Sequence, residues 1–272
     1  MAKRIKLVTV LCIALAWALA CAHDGGGTAN ARLENTPRHD EWVTIDSAGR
    51  PLQAYVVYPQ KSGKAGAVLV IHENRGLTDW VRTVADRLAE RGYIAIAPDL
   101  LSGAAPNGGR TSDFPTSDAA REAISKLPRE QVMTDLANAA RYVRTLPSAN
   151  GKLAVAGFCW GGGRTFDFAN AGDGVAASFV FYGTGPGADA GTAGIDGPVY
   201  GFYGGADERV NATIDPTRAA MEKNGKRYDP VIYPGAGHAF MRLGEEPDTN
   251  EANKKARDEA WSRWLNLLHV VE

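Results

Sequence analysis

A cysteine lies inside a glycine-flanked pentapeptide that could present it as a nucleophile. The sequence GFCWG at residues 157–161 follows an apolar run at residues 153–157 and precedes a stretch with helical spacing. It matches the G-x-S-x-G nucleophile elbow, with Cys159 in place of serine. The two glycines let backbone segments approach around a sharp turn, and the N-terminus of the next helix favours the thiolate. A buried structural cysteine in a glycine turn is the alternative.

An aspartate and a histidine follow two later predicted strands. Asp207 comes after the strand predicted over residues 198–203, and His238 comes after the strand predicted over residues 228–233. A cysteine nucleophile needs a base and an acid that orients the base, in the chain order nucleophile, acid, base. Singly, the aspartate could be a turn residue and the histidine merely exposed. Their order and placement together favour a triad with Cys159.

The loop after the strand predicted over residues 65–71 supplies further candidates. Glu73, Asn74 and Arg75 occupy the position where this motif expects the second amide of an oxyanion hole. We assign the hole to the backbone N–H groups of Trp160 and Asn74, which would bind the charge of a tetrahedral intermediate. Glu73 would direct its carboxylate toward the thiol, and an ion pair with Arg75 or another arginine is the alternative.

The other histidines are weaker candidates. His72 beside Glu73 could suggest a metal ligand, but no histidine lies four residues further on, which weakens a zinc assignment. His23 and His39 lie in the predicted N-terminal tether, and His269 falls in a last helical turn, where a cation is favourable. We therefore expect no metal and no cofactor.

From residue 41 onward the sequence alternates between predicted strands and helices. A hairpin-like pair of strands opens the pattern, and continuous apolar runs typical of strands buried on both faces follow. Strands are predicted over residues 41–46, 53–58, 65–71, 93–97, 153–157, 176–182, 198–203 and 228–233, and helices over residues 80–90, 130–146, 161–171, 213–224 and 253–270. The alternation predicts an α/β fold with a mostly parallel central sheet and helices on both faces.

Composition and charge exclude several classes of protein. With 272 residues and 44% hydrophobic residues, the chain is long and apolar enough for one large domain with a buried core. Its 30 Lys+Arg against 31 Asp+Glu show no basic excess, which argues against nucleic-acid binding. Three cysteines cannot form a framework of several disulfides, so the core must hold the fold.

The N-terminus predicts export. Lys3, Arg4 and Lys6 precede an apolar run of about 14 residues, whereas a membrane-spanning helix needs roughly 20. We predict a signal peptide over residues 1–20, a glycine-rich flexible tether over residues 21–40, and the catalytic domain over residues 41–272.

The end of the signal supports two alternatives. The sequence ALAC at residues 18–21 resembles a bacterial lipobox, so Cys21 is a lipidation candidate and the protein a periplasmic or outer-membrane-anchored lipoprotein of a Gram-negative-type bacterium. Ordinary cleavage after Ala20 or Ala22 would leave a soluble periplasmic or secreted protein. Cleavage before Cys21 removes three positive residues and changes the net charge from −1 to −4, which gives no reason to expect a polyanionic partner.

Five sequence blocks occur in a characteristic order. They are IHENRG at residues 71–76, GYIAIAPDL at 92–100, GFCWGG at 157–162, GGAD at 204–207 and GHAF at 237–240. Together they resemble the dienelactone hydrolase, or carboxymethylenebutenolidase, family of the α/β-hydrolase fold. The resemblance covers residues 53–270 and implies Cys159 as nucleophile, His238 as base and Asp207 as orienting acid. It also implies that Glu73 holds the resting thiol and helps to generate the thiolate when substrate binds.

The resemblance is less complete on the substrate side. The family has an arginine four residues after the histidine, which Arg242 matches, and a serine directly after it, which Ala239 replaces. Arg242 and Arg75 are the substrate-binding candidates. The family's second substrate arginine aligns securely with none of Arg110, Arg121 and Arg129.

These observations predict a monomeric hydrolase that cleaves small esters or enol-lactones through a thioester acyl-enzyme. A broad carboxylesterase acting on larger esters is an alternative, with the Gly-, Pro- and Ser-rich loop at residues 100–116 shaping its cleft. From other classes, a non-catalytic binding module or a thiol redox sensor remains open. A redox sensor usually needs a resolving cysteine. After signal cleavage the mature chain offers only Cys21, at the far end of the tether, as a partner for Cys159.

Overall fold

An eight-stranded sheet forms the centre of the structure, a computed structural model that describes residues 26–189 and 191–272. Its strands are β1 (Asp40–Ser47), β2 (Arg50–Val57), β3 (Ala65–Ile71), β4 (Ile94–Pro98), β5 (Ala149–Phe158), β6 (Ala177–Phe181), β7 (Val199–Gly204) and β8 (Tyr228–Tyr233). They lie in the order β1-β2-β4-β3-β5-β6-β7-β8, with antiparallel pairing of β2 to β1 and β4 and parallel pairing from β4 to β8. The predicted mostly parallel sheet is confirmed.

Helices cover both faces of this sheet. They are α1 (Gly26–Glu34), α2 (Asp79–Glu90), α3 (Ser117–Ser125), α4 (Arg129–Thr145), α5 (Trp160–Asn170), α6 (Glu208–Asn211), α7 (Ile214–Lys223), α8 (Phe240–Leu243) and α9 (Glu251–Leu267). Successive residues of a strand point to opposite faces. Val68 and Val70 of β3 accordingly pack in the core with α2 and α9, while Leu69 and Ile71 pack in a second core with α4.

Several short helices differ from the sequence-based assignment. The sequence pattern predicted no helix at α3, α6 or α8, because each has only one or two buried residues per turn and lies beside glycine-rich segments. The Thr116 side chain caps α3 by accepting the Ala119 N–H, and Ala120 and Ile124 of that helix pack on Leu101. The last helix ends at Leu267 and continues as a 3-10 turn, Leu268–Val271.

The structure replaces part of the predicted flexible tether with the helix α1. Arg32 of α1 pairs with Asp86 of α2 at 2.6 Å and with Glu90 at 3.2 Å, and Arg38 pairs with Asp86 at 2.7 Å. Burial of Asp86 opposes its charged form, but hydrogen bonds from Arg38 and Thr36 and the two arginine charges lower the pKa of that carboxyl below its ordinary value. These partners lie on a distant helix, so local sequence could not reveal them.

The predicted signal peptide and Cys21 lie outside the described residues. Among the residues that the structure does describe, no helix has both the length and the apolar character needed to cross a bilayer.

Candidate active site

The candidate site lies where five parallel strands end at one edge of the sheet. Glu73 follows β3, Cys159 follows β5, Tyr182 follows β6, Asp207 follows β7 and His238 follows β8. The carboxyl ends of parallel strands form the edge at which open α/β sheets bind ligands. The structure therefore brings the predicted nucleophile, acid and base to one place, although they are far apart in sequence.

Cys159 has the sharp turn that the GFCWG sequence predicts. Its φ of 56° and ψ of −116° lie in a region that residues with a Cβ rarely adopt. Two glycines make the turn possible: a Cβ on Gly157 would lie 2.2 Å from the Gly161 carbonyl oxygen, and one on Gly161 would lie 2.4 Å from the His72 carbonyl oxygen. The thiol is consequently presented between β5 and α5 and is partly exposed.

A continuous chain of contacts joins the three predicted residues. The Cys159 Sγ lies 3.2 Å from the His238 Nε2, and the His238 Nδ1 lies 2.5 Å from the Asp207 Oδ2. Asp207 is only 8% exposed, so its carboxylate accepts the Nδ1–H in a largely dry environment and fixes the orientation of the ring. This arrangement leaves Nε2 to exchange a proton with sulfur.

The charges around His238 favour its protonated form. Burial opposes the imidazolium, but hydrogen bonds to Cys159 and Asp207, together with their charges, outweigh burial and raise the pKa of His238 to about 9. At neutral pH the ring is then an imidazolium facing the sulfur. Such a neighbour stabilises a thiolate, which is the nucleophilic form of cysteine.

Glu73 does not take the position that the family resemblance implied. Its Oε2 lies 2.9 Å from the Arg242 Nε, and its Oε1 accepts a hydrogen bond from the Tyr182 hydroxyl at 3.3 Å. Among the described residues, the Cys159 thiol makes its hydrogen bond with His238. The expected contact with the thiol gives way to the ion pair, because a guanidinium binds a carboxylate more strongly than a thiol does. The structure gives Glu73 an arginine partner, Arg242.

Tyr182 is a site residue that the sequence analysis missed. It is fully buried, and its ring meets the His238 ring edge-on with centroids 5.2 Å apart. Burial and the negative charge of Glu73 raise the pKa of Tyr182 well above its ordinary value, so the hydroxyl stays protonated and can donate to Glu73. Its place directly after β6 was the available signal, but a tyrosine at the end of a buried strand resembles a core residue in sequence.

The remaining candidates border the site in different ways. Trp160 begins α5, so its N–H has no acceptor four residues earlier in the helix. Arg75 and Arg242 both line two open grooves of about 470 and 500 Å³. The loop predicted over residues 100–116 borders the first groove through Thr111, Ser112, Phe114, Pro115 and Thr116.

The three unaligned arginines engage other groups. Arg110 stacks on Trp42 with its guanidinium 3.7 Å from the ring centroid, while Arg121 and Arg129 pair with Asp118 and Asp167, respectively.

Both ring nitrogens of His72 make hydrogen bonds to the backbone. Its Nδ1–H donates to the Glu73 carbonyl at 2.7 Å, and its Nε2 accepts the Leu100 N–H at 3.3 Å. Complete burial lowers the pKa of His72, which keeps the ring neutral. Across residues 26–189 and 191–272, no group of three or more histidine, cysteine, aspartate or glutamate side chains could hold a metal ion.

Comparison with known proteins finds relatives from one enzyme family. The model of the dienelactone hydrolase family matches residues 52–271. A Methylorubrum extorquens protein named carboxymethylenebutenolidase is 35% identical over 213 residues, 73% of this chain and 71% of that protein. A Salmonella typhimurium protein of the same name is 32% identical and covers 82% of this chain and 84% of its own length. The solved structure of a Klebsiella pneumoniae protein named as a dienelactone hydrolase has a TM-score of 0.71 and 27% identity, over 84% of this chain and 97% of that one.

The charges of the site predict how His238 titrates. We predict that Asp207→Asn lowers the pKa of His238 from about 9 toward its ordinary 6.5, because the ring loses a negative partner. Since the folded pKa is raised, the stability linked to this proton is fully present below pH 6.5 and is lost as pH rises through 9. The measurement is the ¹³C chemical shift of the His238 ring against pH. An Asp258→Asn control should leave it unchanged, and equal titration in both variants would contradict the assignment.

Proposed function

Because the chain belongs to the dienelactone hydrolase family, and is therefore an α/β hydrolase, we propose that it cleaves carboxylic ester or enol-lactone bonds with a Cys–His–Asp triad. The observation that carries this proposal is the unbroken chain of contacts from the Cys159 Sγ through the His238 ring to the Asp207 carboxylate. A thiolate next to an imidazolium is suited to attack a carbonyl carbon and form a covalent intermediate.

The first half of the proposed reaction acylates the enzyme. The Cys159 thiolate attacks the carbonyl carbon, and the carbonyl oxygen takes the negative charge. The N–H groups of Trp160 and Asn74 would receive that charge, at the start of α5 and in the turn after β3. As the tetrahedral intermediate collapses, His238 donates its proton to the departing alkoxide or enolate, and a thioester remains on Cys159.

The second half returns the enzyme to its starting state. His238, now neutral, accepts a proton from water as the water oxygen attacks the thioester carbonyl. The second tetrahedral intermediate releases the carboxylic acid and regenerates the thiolate–imidazolium pair. Asp207 keeps Nδ1 protonated throughout, so that Nε2 exchanges protons with the reacting atoms. The net reaction consumes one water and yields an acid and an alcohol or enol.

Two arginines at the rim are candidates to bind an acidic group of a substrate. Arg242 is 15% exposed and already pairs with Glu73, so an acidic substrate group would compete with that carboxylate for the guanidinium. Arg75 lines the same grooves as Arg242, and carboxylates line them too: Glu246 and Asp248 in one, Asp79 in the other. Ala239 supplies no hydroxyl at the position after the histidine. Such a substrate would be held by charge with fewer hydrogen bonds than in relatives that have a serine there.

The two grooves also favour a second candidate, a carboxylesterase for larger esters. Each groove is open and has a volume of about 470 to 500 Å³, and the two grooves share Arg75 and Arg242 but otherwise have different lining residues. The groove next to Phe114 and Pro115 has an apolar wall and could receive a bulky acyl or alcohol group.

The nucleophile is tested by a single substitution. We predict that Cys159→Ala lowers kcat on p-nitrophenyl acetate by more than about 10³-fold, because attack by water replaces attack by a positioned thiolate. Initial rates and a thermal melt of both proteins check this. An Asp258→Asn variant, changed at a carboxylate whose side chain is 60% exposed, is the control and should keep wild-type kcat. Undiminished turnover by a folded Cys159→Ala protein would refute the assignment.

We also propose that the protein is exported and attached to a membrane through a lipid on Cys21. The charged, apolar and small-residue regions of residues 1–21 support this. We predict that cells fed radiolabelled palmitate incorporate label into the wild-type protein and not into Cys21→Ser, and that globomycin causes the precursor to accumulate. An exported wild-type protein that takes up no label would contradict lipidation.

A further inference from the structure

The loop that carries Asn74 is held at both ends by the chain segment after β4. On the near side of Asn74, the His72 Nε2 accepts the Leu100 N–H at 3.3 Å. On the far side, the Leu77 N–H donates to the Thr111 Oγ1 at 3.0 Å. Asn74 therefore lies between two fixed points.

Thr111 is itself fixed by a buried carboxylate. Asp99, which is 1% exposed, accepts the Thr111 hydroxyl at 2.7 Å and the Thr111 N–H at 2.9 Å. It also accepts the Leu101 N–H at 3.1 Å. Since the Thr111 hydroxyl hydrogen points to Asp99, an oxygen lone pair is available for the N–H of Leu77. The threonine thus acts as both donor and acceptor between the two loops.

The backbone turn beside Asn74 also rests directly on Thr111. Gly76 has a φ of 81°, and a Cβ at this position would lie 2.2 Å from the Thr111 Oγ1. The Gly76 N–H in turn donates to the Glu73 carbonyl at 3.3 Å, closing the turn around Asn74. A shift of the Thr111 side chain would therefore be transmitted to the backbone of this turn.

We propose that Asp99 and Thr111 form a latch that positions the Asn74 N–H for the developing oxyanion. The inference rests on the proposed function, in which that N–H is one half of the oxyanion hole. Donors stabilise a transition state well only if they are held in place before the charge develops. Neither residue of the latch touches the reacting atoms, so both are positioning residues.

Substitution at Thr111 distinguishes a role in positioning the Asn74 N–H from general disruption of the active site. We predict that Thr111→Val lowers kcat on p-nitrophenyl acetate by about 10- to 100-fold with little change in KM, because a misplaced donor weakens only the transition state. The same variant should alkylate Cys159 with iodoacetamide at the wild-type rate and with the wild-type pH profile. Alkylation requires the thiolate and His238 but forms no oxyanion.

Three variants serve as controls. Thr111→Ser keeps the hydroxyl and should recover most of the lost kcat. Thr83→Val removes another buried hydroxyl, one that donates to the Trp80 carbonyl within α2, and should leave kcat unchanged. Thr111→Ala gives the same comparison if the valine variant does not fold, and it must show the same difference between hydrolysis and alkylation.

Two results would overturn the latch. One is wild-type kcat in a folded Thr111→Val or Thr111→Ala protein, and the other is an equal loss of hydrolysis and alkylation. Failure of the proposed function is distinguishable, because Cys159→Ala would then hydrolyse the ester at the wild-type rate.

Discussion

The left-handed backbone at Cys159 is the constraint on which the rest of the site depends. A residue with a Cβ held in such a conformation costs about 1–3 kcal/mol, and it persists only where its surroundings enforce it. Here β5 on one side and α5 on the other enforce it, and Gly157 and Gly161 allow them to approach. The strained turn directs the thiol away from the core and toward His238, which reaches it from the loop after β8.

Charge is distributed in two neighbouring sets around this turn. One set contains Cys159, His238 and Asp207, whose hydrogen bonds keep the imidazole protonated at neutral pH. The other joins Glu73 to Arg242 and to the Tyr182 hydroxyl. Tyr182 links the sets, because its ring packs against His238 while its hydroxyl binds Glu73. A substrate group that displaced Glu73 from Arg242 would therefore disturb a carboxylate that Tyr182 connects to His238, the proposed base.

Sequence predicted the central sheet and the meeting of the three triad candidates because both follow from simple patterns. Apolar runs separated by helices require a parallel sheet, and residues directly after such runs must then share one edge. The partner of Glu73 was not predictable, because the sequence allowed either the Cys159 thiol or an arginine. Only the folded position of Arg242 decides between them. The docking of α1 and the role of Thr111 depend on contacts with Asp86 and Asp99, single carboxylates that lie outside the segments they hold and give no local periodicity.

The most direct test of the central claim is to trap the covalent intermediate. A p-nitrophenyl ester with a bulky acyl group, such as trimethylacetate, should acylate the enzyme faster than water can remove the acyl group. Acid quenching during the burst, followed by mass spectrometry of the peptides, should find the acyl group on Cys159 as a thioester that hydroxylamine removes. Steady release of p-nitrophenol with the Cys159 peptide unmodified at every time point would contradict the account.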